Sequence, residues 1–316
     1  MRVGILLLCL LLALGSVACI SRPPKVEIAN WPEGHKSAVC ATFDTERASE
    51  EDLIAISSVL RNRGMNATFF VVSGYYHGDG EALAILKEFE VGNMAWNQSE
   101  WDESDLDYEY QYDRIKYSDE WLRGEGFNPR GFRAPFLKHN DETIRALKDL
   151  GYRYDSSKIG TLPFGEEVLE IPLAINYDPF WDPETMKYSI QPTYLILQDA
   201  YDEDGLFAFN THPEKANENL AEFLEFIDYI NGKNIWLPSC GEVAEWWSNK
   251  QALQMFTDKR GVIVKNNGNL VVEGATVKIS PKREIKGAVS IVEEGDDLYA
   301  ILPDIGPGSE AVLRIG

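Results

Sequence analysis
The chain has 316 residues, 44% of them hydrophobic, which is long and apolar enough for one large domain or two and excludes general disorder. Its 51 acidic and 30 basic residues give a formal net charge of −21, spread along the chain rather than gathered in one block. That pattern argues against nucleic acid or another polyanion as partner, because phosphate contacts need clustered Lys and Arg, and leaves a neutral or cationic glycan as the better one.

Taken in chain order, Arg2, the apolar run 3–14 and the small residues Ser16-Val17-Ala18 read as an export signal over residues 1–18. Cys19 follows directly, and Ser16-Val17-Ala18-Cys19 resembles a lipobox, although Ser stands where an aliphatic residue is usual. The expectation is an exported protein of the cell surface, lipidated at Cys19 and so held to a membrane. Residues 19–36, with Pro23, Pro24, Pro32 and Gly34, read as a tether. From 37 to 257, short apolar runs alternate with helical patterns, the signature of βα units around a parallel sheet. Expected strands are 38–43, 67–72, 91–95, 131–133, 152–155, 206–211 and 235–237. Expected helices follow a Ser49 cap and cover 81–89, 105–124, 141–150, a stretch from Pro213 to Ile230, and 242–255. Cys40 and Cys240, in this body, are expected as two separate thiols. Composition changes near Lys259, and residues 258–316 read as a small all-β, sandwich-like domain. Tyr299 is its one aromatic residue, so the domain reads as a packing appendage rather than a sugar platform.

In a parallel αβ barrel the active face is built where strands end, so polar residues just after apolar strands are the ones to weigh. Asp44 and Glu46 follow the first strand in Thr42-Phe43-Asp44-Thr45-Glu46, Arg133 ends a later one in Arg133-Ala134-Pro135-Phe136, and His212 stands in Thr211-His212-Pro213. Asp155 lies in Tyr154-Asp155-Ser156-Ser157. In this order these segments resemble the motifs of the polysaccharide deacetylases, the NodB-like carbohydrate esterases, over roughly residues 37–247. That resemblance implies a distorted (β/α) barrel of the NodB-homology type. It also implies a metal-dependent hydrolase acting on the acetamide groups of N-acetylated glycans. One motif departs from the pattern. Gly92-Asn93-Met94-Ala95-Trp96-Asn97-Gln98 has the frame in which the family carries two histidines, with Met94 and Gln98 in their places.

The resemblance assigns Asp44 as general base, Glu46 as a metal ligand, Arg133 as the group that orients and acidifies Asp44, His212 as general acid and Asp155 as a support for the arginine. Phe136 would shape the pocket, with Trp96, Met94 and Gln98 beside it, and Trp101 and Trp181 would add stacking surface. With a thioether and an amide in place of two imidazoles, Glu46 is a weak ligand set by itself. Zinc or another divalent metal would then need a non-standard site, for which His77 and His139 are the remaining candidates. Three readings follow: a metal-free binder of a glycan or partner in the old cleft, a deacetylase with relocated ligands, and metal-free hydrolysis by Asp44 and His212.

Overall fold
The computed structural model describes residues 23–316, except 77–79, 99–100, 102–106, 177 and 183. The export signal, Cys19 and His77 lie outside the described residues.

The chain runs through β1 (Lys25–Ile28), β2 (Ser37–Asp44), α1 (Glu50–Asn62), β3 (Ala67–Val71), α2 (Gly80–Leu86), β4 (Glu90–Asn93), α3 (Tyr108–Gly124), β5 (Gly131–Phe132), α4 (Asp141–Asp149), β6 (Tyr154–Asp155) and β7 (Leu169–Glu170). It continues with β8 (Trp181–Asp182), β9 (Lys187–Tyr188), α5 (Gln191–Asp202), β10 (Leu206–Thr211), α6 (Pro213–Glu218), α7 (Leu220–Asn231), β11 (Ile235–Trp236) and α8 (Cys240–Gln251). The remaining strands are β12 (Leu253–Asp258), β13 (Gly261–Asn266), β14 (Thr276–Ser280), β15 (Ile285–Lys286), β16 (Ser290–Glu294), β17 (Asp297–Ile301) and β18 (Glu310–Ile315).

The first sheet has the order β10-β2-β3-β4-β5-β6-β7, all parallel, with β11 beside the start of β2. Every residue of β2 is buried, as a strand covered on both faces must be, and its apolar run Ala38-Val39-Cys40-Ala41 shows why. The sheet curls until the backbone after β7 meets β10, where Ala174 N–H donates to the Ala208 carbonyl at 2.7 Å. Helices pack outside. The Ser49 hydroxyl and Asp52 close a capping box at the head of α1, whose Leu53, Ile56 and Leu60 then point into the core. Gly131 is required by close approach: a Cβ there would lie 1.9 Å from the Tyr154 ring. Cys40 and Cys240 are both buried and free.

Two further four-stranded sheets, β1-β14-β17-β16 and β12-β13-β18-β15, make the expected all-β part, whose pairings are antiparallel. Its first strand comes from the other end of the chain. Residues 25–28, expected as tether, pair as β1 with β14 from Lys25↔Ser280 to Ile28↔Val277. Trp31 is completely buried, its ring 5.7 Å from Trp247 and 6.3 Å from Trp236. The expected last helix ends at Gln251, and Leu253–Asp258 is a strand of this β part. Tyr299 is buried and donates to Asp204 just after α5, where Lys278 also binds, so this aromatic fastens the β part to the barrel. The helix expected from Pro213 to Ile230 breaks at Asn219 into α6 and α7.

Candidate functional site
The carboxyl ends of β2, β5 and β10 bring Asp44, Arg133 and Asn210 into one hydrogen-bonded group. Arg133 is fully buried, with its guanidinium 4.1 Å above the Phe70 ring. Its Nη1 donates to Asp44 Oδ1 at 3.0 Å, to Thr42 Oγ1 at 2.8 Å and to Asn210 Oδ1 at 2.9 Å. Its Nε and Nη2 donate to the carbonyl and hydroxyl of Ser156 at 2.9 and 2.8 Å. Asn210 returns its amide to Asp44 Oδ2 at 2.8 Å. A buried guanidinium needs this saturation, because each unmet N–H would carry a desolvation cost. Arg133 pulls the Asp44 carboxyl downward by its charge and its hydrogen bond, but it does not set the net shift. Burial, the largest influence, together with the negative charge of Glu46, outweighs Arg133 and holds the Asp44 carboxyl above its ordinary range.

Glu46 and His212 form a second group, Nε2 to Oε1 at 3.0 Å. Burial disfavours both charges, yet each partner prevails over it. The hydrogen bond and charge of His212, with lesser pulls from the Glu46 backbone and the Gln98 amide, hold the Glu46 carboxyl below its usual range. Glu46, Asp44 and Glu214 raise His212. Both shifts favour the carboxylate and imidazolium forms of the pair. Both groups face a cleft of about 420 Å³ whose wall includes Met94, Gln98, Phe136, Asn176, Asp178 and Asn210.

Met94 and Gln98 are buried against each other, with the Gln98 amide donating to Met94 Sδ at 3.8 Å. Phe136 is 62% exposed at the rim. It and Leu137 both adopt left-handed backbone, φ 56° and 58°, a strained turn that holds an aromatic ring outward where packing would draw it in. Trp96, expected in the cleft, instead turns to α3, its ring 4.5 Å from Tyr117 and 6.4 Å from Trp121. Trp101 is buried and donates its indole N–H to the Lys138 carbonyl, and neither it nor Trp181 lines the cleft. His139 is also off the wall. Its Nδ1 lies 2.9 Å from the Leu137 carbonyl, and its charge acts on Asp155.

Asp155 supports the arginine indirectly. It is fully buried and accepts from the Ser156 N–H at 2.9 Å and the Ser157 hydroxyl at 2.6 Å, and Ser156 in turn receives Arg133. Its neighbour across β6 and β7 is Glu170, which accepts the N–H groups of Ser157 and Lys158. Burial and then the charge of Asp155 push the Glu170 carboxyl up to about 8.

Sequence reasoning missed Asp178 and Asn210. Asp178 accepts from the Thr211 hydroxyl at 2.7 Å and the Phe180 N–H at 2.9 Å, and burial raises it. Asn210 stands two residues before His212 at a strand end, the same signal that marked His212.

Residues 32–154 match the family model of the polysaccharide deacetylases. Over that stretch the chain is similar to the polysaccharide deacetylases. The barrel is similar to solved structures: a putative polysaccharide deacetylase from Mycobacterium smegmatis (19% identity, TM-score 0.62, covering 70% of this chain and 93% of that one) and a probable one from Pseudomonas aeruginosa PAO1 (14%, 0.60, 72% and 96%). It is also similar to the Puue allantoinase (15%, 0.56, 72% and 94%). At these identities the likeness shows the fold. No curated protein matches the chain.

The donors of this barrel do not fit zinc. Zinc takes imidazole, thiolate or carboxylate, and a catalytic site normally has three such ligands. Here Glu46 Oε1 is engaged by His212, and Met94 and Gln98 supply a soft sulfur and a neutral amide. Among the described residues no group of three His, Cys, Asp or Glu is placed to hold a metal.

Proposed function
We propose that this polysaccharide deacetylase domain binds a glycan in its cleft without resident zinc and does not hydrolyse acetamides. The observation that carries the reading is the Glu46–His212 pair standing beside Met94 and Gln98: the only carboxylate of the expected ligand set is already engaged by His212, and both other donors are poor. Amide hydrolysis needs a polarised carbonyl and an activated water, tasks the metal performs in this chemistry and for which the cleft shows no substitute. The remaining features suit recognition. An outward Phe136 ring offers stacking to an apolar sugar face, and Asn176, Asn210 and Asp178 offer polar contacts.

Export and anchoring belong to the same reading, supported by the apolar start, Ala18-Cys19 and the acidic body. Fractionation of cells carrying the chain and its Cys19→Ala variant tests that part: loss from the membrane fraction in the variant is expected, and equal distribution contradicts it. The activity part is tested by acetate release from N-acetylated chito-oligomers with zinc added. We expect no release above the protein-free rate together with saturable oligomer binding by calorimetry. Turnover that Asp44→Asn abolishes would overturn the reading.

A further inference from the structure
Beyond Cys19 the chain has two cysteines, Cys40 and Cys240, which stand near opposite ends of the barrel sequence. Cys40 lies within β2, and Cys240 is the first residue of α8. The fold brings them together. Parallel pairing sets Ala41 of β2 beside Ala67 of β3, and the segment leading into α8 runs along the same end of β3. There the Asn66 N–H donates to the Leu237 carbonyl at 3.4 Å, and the Cys240 N–H donates to Thr68 Oγ1 at 2.9 Å. Both cysteine side chains are fully buried in one apolar cluster, and their thiols act directly on each other.

A buried thiol packs as a small apolar group and needs no partner of its own kind, so core packing gives no reason for the two to meet. Neither lines the cleft, and among the described residues no third His, Cys, Asp or Glu joins them in a group placed to hold a metal. Side-chain contact of this kind is the precondition for a disulfide.

We propose that Cys40 and Cys240 become joined by a disulfide when the chain folds in an oxidising compartment, tying β2 to the head of α8. Where this happens rests on the export reading above, and that it can happen rests on the contact of the side chains. The step is an exchange with an oxidant that is itself a disulfide, such as oxidised glutathione. One cysteine thiolate attacks the oxidant and forms a mixed disulfide, which the second thiolate then displaces. One S–S bond breaks and one forms, two protons and two electrons leave the pair, and the oxidant departs as two thiols. The exchange occurs before the core closes, because the finished fold shuts both thiols away from solvent. Once made, the bond is shielded from reductant by the same burial. It fixes the strand that ends at Asp44 in the cleft to the helix whose Trp246 and Trp247 hold the N-terminal segment.

The test unfolds the full-length chain in denaturant with reductant and refolds it in glutathione buffers from fully reduced to mostly oxidised. Non-reducing digestion with mass spectrometry then reads which cysteines are joined, and so separates this pair from Cys9 and Cys19. A linked peptide containing Cys40 and Cys240 is expected in the oxidised buffers. The oxidised chain should unfold at a higher denaturant concentration than the reduced one, because the bond closes a long loop. Cys40→Ala and Cys240→Ala should each abolish that difference, and if either variant fails to fold, the two readings on the unmodified chain decide alone. Native circular dichroism regained with both thiols open to alkylation after denaturation, at every glutathione ratio, would overturn the proposal. Linkage to Cys9 or Cys19 instead, or an oxidised chain less stable than the reduced one, would also overturn it. A bond made in glutathione but missing from chain recovered from cells upholds the pairing and contradicts the export reading.

Discussion
Glu46 and His212 depend on each other for their charge states, and this sets a pH window. His212 is raised from 6.5, so its contribution to stability is complete below that value and is lost as pH rises through the raised folded value. Glu46 is lowered from 4.5, so its share is present above 4.5 and is lost as pH falls through the lowered folded value. The pair therefore stabilises most between 4.5 and 6.5. His212→Gln should cost about 1–3 kcal/mol in that window, as for a buried acceptor deprived of its partner. Denaturant titrations from pH 4 to 9 should show the difference from the parent shrinking at both ends, and a pH-independent difference would contradict the pairing. Glu170 gives a prediction of opposite use. Its carboxyl is raised from 4.5 to about 8 beside the buried Asp155, and each acid has one oxygen without a partner among the described residues. Two ionised carboxylates side by side are costly, so the folded state loses stability as pH rises from 4.5 through about 8. Glu170→Gln keeps an acceptor for Ser157 and Lys158 and removes that loss, so its stability relative to the parent should grow across this range. A constant offset in the same titrations would show that Glu170 does not hold the proton. Asp44, Glu46, Arg133 and His212 were legible in the sequence because each directly follows an apolar strand in a recognisable segment. Asp178 was not, because it comes from the irregular stretch after β7, where no periodicity marks direction. Trp96 was misplaced because sequence gives no sign that its ring turns back onto α3.

At the scale of elements, the barrel strands were readable from their apolar runs, and their polar ends followed. The first strand of the β part was not. Four residues between prolines give little pattern, and β1 finds its partner β14 about 250 positions away in sequence. The same distance hid the role of Trp31, which joins α8, β11 and the N-terminal segment in one aromatic cluster. Asn30 reinforces this seam, accepting from the Trp246 indole at 2.7 Å and from Lys250 at 2.8 Å. Trp31→Ala should destabilise the protein by about 3–5 kcal/mol, the usual cost of emptying a fully buried aromatic site. Thermal melts would check it, and a change within experimental scatter would mean that the segment is the free tether its composition first implied. The break of the Pro213–Ile230 pattern at Asn219 has a local cause: φ −114° and ψ 39° leave the helical region, ending α6 one residue before α7 begins.

Across the whole molecule, the cleft opens at the carboxyl ends of the strands, while the β sheets join the opposite end of the barrel through the core that contains Trp31, Cys240 and Val277. That arrangement leaves the cleft uncovered by the β part and makes the latter a brace. It also suits a chain of net charge −21, which repels polyanions. The fold alone leaves the chemistry open, since deacetylases and an allantoinase share it. The donor set decides. The most direct measurement is a zinc titration by calorimetry of the purified chain beside its Met94→His, Gln98→His double variant, with elemental analysis of both after dialysis. We predict no saturable zinc uptake by the parent and one zinc per chain in the double variant, where two imidazoles join Glu46. One tightly held zinc per chain in the parent, weakened by Glu46→Ala, would contradict the account and return the cleft to metal-dependent catalysis.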